Sequence, residues 1–113
     1  MFEKNLAISD LLDTYSAVLS PRHSELLDYY YNQDLSLAEI AELVGISRQG
    51  VRDGIKKAEE ELFFLEERLH LLQKANALRE VADRLLAKAD EITARAVYEM
   101  LSAAGLQTEE EGV

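Results

Sequence analysis

The sequence predicts an all-α fold: a helix-turn-helix bundle of about four helices followed by one long C-terminal helix, or more than one. Three observations lead there. Only one proline, Pro21, interrupts the 113 residues, and proline is the strongest helix breaker. Apolar residues recur three and four positions apart along most of the chain, the period of a helix with one buried face. Helix start and stop signals fall between those runs, at Ser20-Pro21, Ser36 with Glu39, Gly45 and Ser47.

The first element is expected from about Glu3 to Leu19, with Ile8, Leu11, Leu12, Tyr15, Val18 and Leu19 at helical spacing and Asp10 and Asp13 on other faces. Ser20 then serves as an N-cap with Pro21 at the first helical position, where its missing N–H is not needed. That second helix should reach about Tyr31. A short polar connection leads to Ser36 and Glu39, a Ser-x-x-Glu capping box, with Leu35 and Ile40 placed to staple across it. The third helix ends at Gly45, which takes the left-handed conformation at the lowest cost. Ser47 caps a fourth helix, with Ile46 and Val51 repeating the staple.

No stop signal follows before about Gln73, so the fourth helix is expected to run roughly 27 residues, about 40 Å at about 1.5 Å per residue. Its far half carries Leu62, Leu65, Leu69 and Leu72 at 3-4-3 spacing. A break or bend is expected around Asn76. From about Ala77 to Ala104 a further helix carries Leu78, Ala82, Leu85, Ala89, Ile92 and Ala96 as a stripe of alternating large and small residues. Gly105 is its expected C-cap. These readings divide the chain into a helix-turn-helix domain over residues 1–62 with the motif at 35–62, a C-terminal helical extension over 63–105, and a disordered acidic tail over 106–113. The two apolar seams are simplest as core or as a homodimer interface, for which Leu65, Leu69, Leu72, Leu78, Leu85 and Ile92 are the candidates.

Several function classes are excluded or made remote. There is no cysteine, so disulfides, thiolate metal sites and a cysteine nucleophile are absent, as suits a reducing cytoplasm. Glu3, Asp10 and Asp13 among the apolar residues of the opening stretch rule out a signal peptide or a membrane span there. A cytoplasmic protein without membrane contact is expected. The five glycines fall in no phosphate-cradling or dinucleotide pattern. His23 and His70, far apart in sequence, have no ligand-spaced carboxylates near them. We therefore expect no enzyme, no cofactor and no metal.

The motif itself points to nucleic acid. Ala41, Gly45, Ile46 and Val51 meet the demands of a helix-turn-helix, and Ile40 and Val44 complete its inner face. If Val51, Ile55, Ala58 and Leu62 point inward, Arg48, Arg52 and Lys56 form an outward row at i, i+4 and i+8, with Ser47 and Gln49 beside them. Those five residues are the candidate nucleic-acid contacts. Formal net charge is -10, so the averaged field repels phosphate and binding must come from this local patch. With Lys57 the stretch holds four basic residues, and four phosphate contacts give a slope of log K against log salt of only about -3.6 on B-DNA. A monomer should bind weakly, and a dimer would present two strips. The same residues also suit a solvated face in which Gln49 pairs with Asp53 and Lys56 with Glu60. For Tyr29, Tyr30 and Tyr31, flanked by Asp28 and Asp34, core packing with surface hydroxyls is favoured over stacking on bases.

Residues 19–62, "LSPRHSELLDYYYNQDLSLAEIAELVGISRQGVRDGIKKAEEEL", resemble the C-terminal helix-turn-helix domain of sigma factors at Ile40, Ala41, Gly45, Ile46, Ser47, Arg48, Val51 and Arg52. The chain is too short for a sigma factor and lacks the polymerase-binding regions. Over roughly residues 5–75, "LLDTYSAVLS", "DYYYNQDLSLAEIAE", "GISRQGVRDGIKKAE" and the leucine-rich run to "LHLLQK" look like the bacterial YlxM-like family. That resemblance implies a sigma-like, all-helical regulatory protein linked to the signal recognition particle pathway, whose RNA is the implied target. The alternative is an adaptor that binds a basic protein partner, such as the particle's GTPase, without touching nucleic acid. One departure stands out: Gly54 replaces the large apolar residue of sigma domains, one turn after Gly50. Each glycine costs about 0.8 to 1 kcal/mol in a helix interior relative to alanine. Close approach of a helix or a ligand, or a malleable recognition helix, would account for them.

Overall fold

Local capping sets most of the helix boundaries in the computed structural model, which describes residues 7–106. The order is α1 (Ala7–Tyr15), α2 (Pro21–Leu27), a π-helical turn (Asp28–Asn32), α3 (Leu37–Val44), α4 (Arg48–Leu69), α5 (Leu71–Leu86) and α6 (Glu91–Ala103). The fold is all-α, with no strand among the described residues.

Each expected cap in the first half forms. The His23 N–H donates to Ser20 Oγ at 3.2 Å, with Pro21 at the first helical position. At α3 the capping box closes in both directions: the Glu39 N–H donates to Ser36 Oγ at 3.1 Å and the Ser36 N–H to Glu39 Oε1 at 3.0 Å. Gly45 ends α3 at φ 79°. Ser47 Oγ accepts from the Gly50 N–H at 2.9 Å and opens α4. These bonds satisfy amides that a helix's first turn leaves without partners.

Other expectations are corrected. Helix α1 stops at Tyr15, and the turn that follows breaks the period, so Leu19 is buried while Val18 stands 61% exposed. The part of that segment before Ala7 lies outside the described residues. Helix α2 gives way at Asp28 to a π turn, closed by the Gln33 N–H on the Asp28 carbonyl at 3.0 Å. Helix α4 ends at Leu69, not Gln73, and the break falls at His70, not Asn76. Downstream, the single helix expected to about Ala104 is two helices. Asp90 Oδ1 accepts from the Thr93 N–H at 2.7 Å and starts α6. Asp90 followed by Glu91 is an N-cap signal that the alanine-rich stripe obscured. Gly105, at φ 78°, does end α6, and the Leu106 N–H reaches back to the Leu101 carbonyl at 2.9 Å.

The chain forms two compact units that meet at Leu72 and Gln73, ten residues beyond the boundary read from the sequence. In the first, α1, α2 and α3 pack against α4. Its core holds Ile8, Leu11, Leu12 and Tyr15 from α1, Leu26 and Leu27 from α2, Ile40 from α3, and Val51, Ile55, Ala58 and Leu62 from α4. Leu65 and Leu72 pack against that core, which is why the unit extends past Leu62. In the second, Ala82, Val97 and Leu101 form a small cluster joined by Leu86 and Leu106. Leu106 thus belongs to a packed cluster, while the remainder of the expected acidic tail, 107–113, lies outside the described residues.

A tertiary contact fixes the end of α4. His70 takes a left-handed conformation at φ 56°, and its N–H makes the last bond to the Glu66 carbonyl at 2.9 Å. The Tyr15 hydroxyl donates to Glu66 Oε1 at 2.6 Å and accepts from the Leu71 N–H at 3.1 Å, while the same carboxylate oxygen accepts from the Leu72 N–H at 3.0 Å. Two otherwise unpartnered amides at the start of α5 are thereby satisfied from α1 and α4. Burial, and then the bond to Glu66, push the Tyr15 phenol above its ordinary value, so it stays a donor.

Candidate nucleic-acid interface

The site is built on the second helix of the helix-turn-helix. Val51, Ile55, Ala58 and Leu62 are buried, and Arg48, Arg52 and Lys56 lie on the exposed side of α4, as their spacing requires. Among the described residues none of these three cations makes a hydrogen bond or an ion pair. The Gln49 amide donates to Asp53 Oδ1 at 2.9 Å, so one of the two i+4 pairs forms. The expected Lys56–Glu60 pair does not. Ser47 Oγ accepts from the Gly50 N–H, and its hydroxyl still has a proton to donate.

Gly54 is explained by internal packing. A Cβ there would lie 2.6 Å from Leu26 Cδ1, and Leu26 is buried in the core, so α2 crosses α4 at this residue. No ligand is needed to account for the glycine. Gly50 lies under its own cap, where a Cβ would stand 3.2 Å from Ser47 Oγ.

The tyrosines join core and surface. Tyr30 is buried, and its ring meets Tyr31 edge-on with centroids 5.0 Å apart. The Tyr31 hydroxyl donates to Glu59 Oε2 at 2.5 Å. Burial, then that bond to the carboxylate, raises the Tyr31 phenol well beyond its usual range. Both histidines have structural places: His23 Nδ1 meets Glu61 Oε1 at 3.1 Å, linking α2 to α4, and His70 ends α4. Among the described residues no three His, Asp or Glu side chains are grouped to hold a metal ion, and no helix is long and apolar enough to cross a membrane.

The six candidate interface residues do not share one environment. Leu65 and Leu72 pack against the first core, whereas Leu69, Leu78 and Leu85 are 45%, 42% and 46% exposed and Ile92 is 83% exposed. Leu78 and Leu85 lie on α5 with Val81, which is also exposed. The buried position of the expected stripe is Ala82.

Sequence reasoning passed over two features. Phe63 and Phe64, adjacent on α4, are 47% and 55% exposed, with the Arg68 guanidinium 5.2 Å from the Phe64 ring. A second basic set, Arg79, Arg84 and Lys88, follows the motif. Asp83 stands four residues after Arg79 and Glu80 four before Arg84, so like and unlike charges alternate there at helical spacing. Neither Arg48 nor Arg52 has such a carboxylate at i+4.

The profile of a family described as helix-turn-helix protein, YlxM / p13 like (UPF0122), matches residues 2–101. A UPF0122 protein of Clostridium botulinum (strain Alaska E43 / Type E3) is 45% identical over 73 residues, covering 65% of this chain and 67% of that protein. One from Clostridium kluyveri (strain ATCC 8527 / DSM 555 / NBRC 12016 / NCIMB 10680 / K1) is 44% identical over 78 residues, 69% and 70% of the two chains. A third, from Mycoplasma capricolum subsp. capricolum, is 40% identical over 78 residues, 69% of each. With the helix-turn-helix in place and a match along most of its length, the chain belongs to the YlxM / p13 like helix-turn-helix family.

Proposed function

We propose that this protein is a non-catalytic regulator that binds nucleic acid through Ser47, Arg48, Gln49, Arg52 and Lys56. The observation that carries the reading is the row of three cations on the outer face of α4 with no acidic partner among the described residues. In a chain of net charge -10, three neighbouring cations that form no ion pair with a carboxylate among the described residues make a local phosphate site inside a repelling field. The signal recognition particle RNA is the target we propose on the strength of the resemblance. Pairing of two chains through Leu69, Leu78, Leu85 and Ile92, the seam residues left exposed, would double the strip.

Fluorescence anisotropy across a salt series, against structured RNA and duplex DNA, tests this. Arg48→Glu with Arg52→Glu is expected to weaken binding at least tenfold with helicity unchanged, each lost contact taking about 0.9 from the salt slope on duplex DNA. Unaltered binding would remove the strip from consideration.

A second reading has its own support in the exposed Phe63–Phe64 pair and the acidic balance of the chain. In it the protein is an adaptor for a basic protein partner such as the particle's GTPase. Binding to that GTPase that survives both arginine reversals and is lost on Phe63→Ser with Phe64→Ser would favour this reading.

A further inference from the structure

Between the π turn, the start of α3 and the first half of α4 lies an open cleft of about 220 Å³. Tyr30, Tyr31, Leu37 and Ile55 give it apolar walls, and Arg52 and Lys56 border it. Two cations of the proposed phosphate strip therefore edge a space suited to a flat ring.

The remaining wall is polar. Glu59 uses Oε2 for the Tyr31 hydroxyl, which leaves Oε1 to accept from a ligand. Asp28 is not among the residues that line the cleft; its two oxygens accept from Asn32 Nδ2 at 2.9 Å and Gln33 Nε2 at 2.7 Å. Apolar walls, two unpaired cations and one carboxylate acceptor match the parts of a nucleotide: a ring, flanking phosphates and a base edge bearing N–H donors. In a regular duplex no base is free to enter, and the A-form major groove is too deep and narrow for α4. Bulges and loops of folded RNA offer unstacked bases.

We propose that this cleft receives one unpaired base of a structured RNA, with the adjoining phosphates on Arg52 and Lys56 and the base edge toward Glu59. The proposal rests on the reading of α4 as a nucleic-acid contact and adds what that contact selects.

The test uses the full chain and three RNA hairpins of one stem: fully paired, with a single guanosine bulge, and with an abasic bulge that keeps the extra phosphate. Stacking of one base contributes enough to make the guanosine bulge bind about tenfold tighter than the other two. Leu37→Trp, which fills the cleft, should erase that preference while leaving the affinity for the paired hairpin. Equal, salt-sensitive binding to all three hairpins would overturn the cleft assignment and leave the phosphate strip standing. Binding to none of them would overturn both.

Discussion

Up to Leu72, thirteen apolar side chains are buried in one cluster; from Gln73 onward, among the described residues, three are. Both units are made of amphipathic helices, so the difference does not lie in helical patterning. In the first unit α4 is surrounded by three other elements, and each turn of its inner face meets a partner. In the second, Ala82, Val97 and Leu101 are covered while Leu78, Val81, Leu85, Ile92 and Met100 are each more than 40% exposed. Burial of a valine or leucine side chain contributes about 1.5–3 kcal/mol, whereas ordering each residue's backbone costs about 1–2 kcal/mol. A cluster of three cannot offset the ordering of two helices by itself. Helical pattern and core closure are separate achievements, and only the first unit shows both.

The largest expected effect separates the two cores. Leu62→Ala empties a fully buried position and should cost the first unit about 2–5 kcal/mol, read as a lower midpoint in urea denaturation followed by circular dichroism. Leu101→Ala should leave that midpoint unmoved and reduce only the helicity lost before it. An equal shift from both substitutions would mean that the two units unfold as one.

A smaller effect tests the contact that closes the first unit. Glu66→Ala removes the acceptor of the Tyr15 hydroxyl and of the Leu72 N–H and should cost about 1–3 kcal/mol, with amide exchange at Leu72 accelerated. Glu67→Ala, one residue on and exposed, should change stability by less than about 0.5 kcal/mol. If the two substitutions behave alike, the start of α5 is set by its own sequence.

The smallest effect compares the caps. Hydrogen bonds to the Thr93 N–H and hydroxyl hold Asp90 below its ordinary value of 3.8, and bonds to Ser36 hold Glu39 below 4.5. A carboxylate depressed on folding contributes stability that is present above its unfolded value and lost as the pH falls through the folded one. Helicity should therefore be insensitive to pH near neutrality and decline below about pH 4.5 for the Glu39 contribution and below about pH 3.8 for that of Asp90. Asp90→Asn keeps an N-cap acceptor but removes its titration, so α6 should lose part of its acid sensitivity in a circular dichroism titration. An unchanged acid profile would remove Asp90 as its source.

The sequence by itself determined the all-α class, the helix-turn-helix between Ser36 and α4, and the outward row Arg48, Arg52 and Lys56. It also set the helix ends at Ser20, Ser36, Gly45, Ser47 and Gly105. All of these rest on bonds within about five residues or on the helical period, which any short window of sequence contains. The start of α6 at Asp90 was equally local and was hidden only by the alanine pattern around it. The tertiary structure alone decided that α4 stops at His70, where Tyr15 reaches across 51 positions to Glu66 and 56 to Leu71. It decided too that Gly54 makes room for Leu26, that Leu65 and Leu72 turn to their own core, and that Tyr31 meets Glu59 beside two free cations. Those outcomes depend on which helix faces meet after the chain has folded back on itself, and no short-range propensity carries that information.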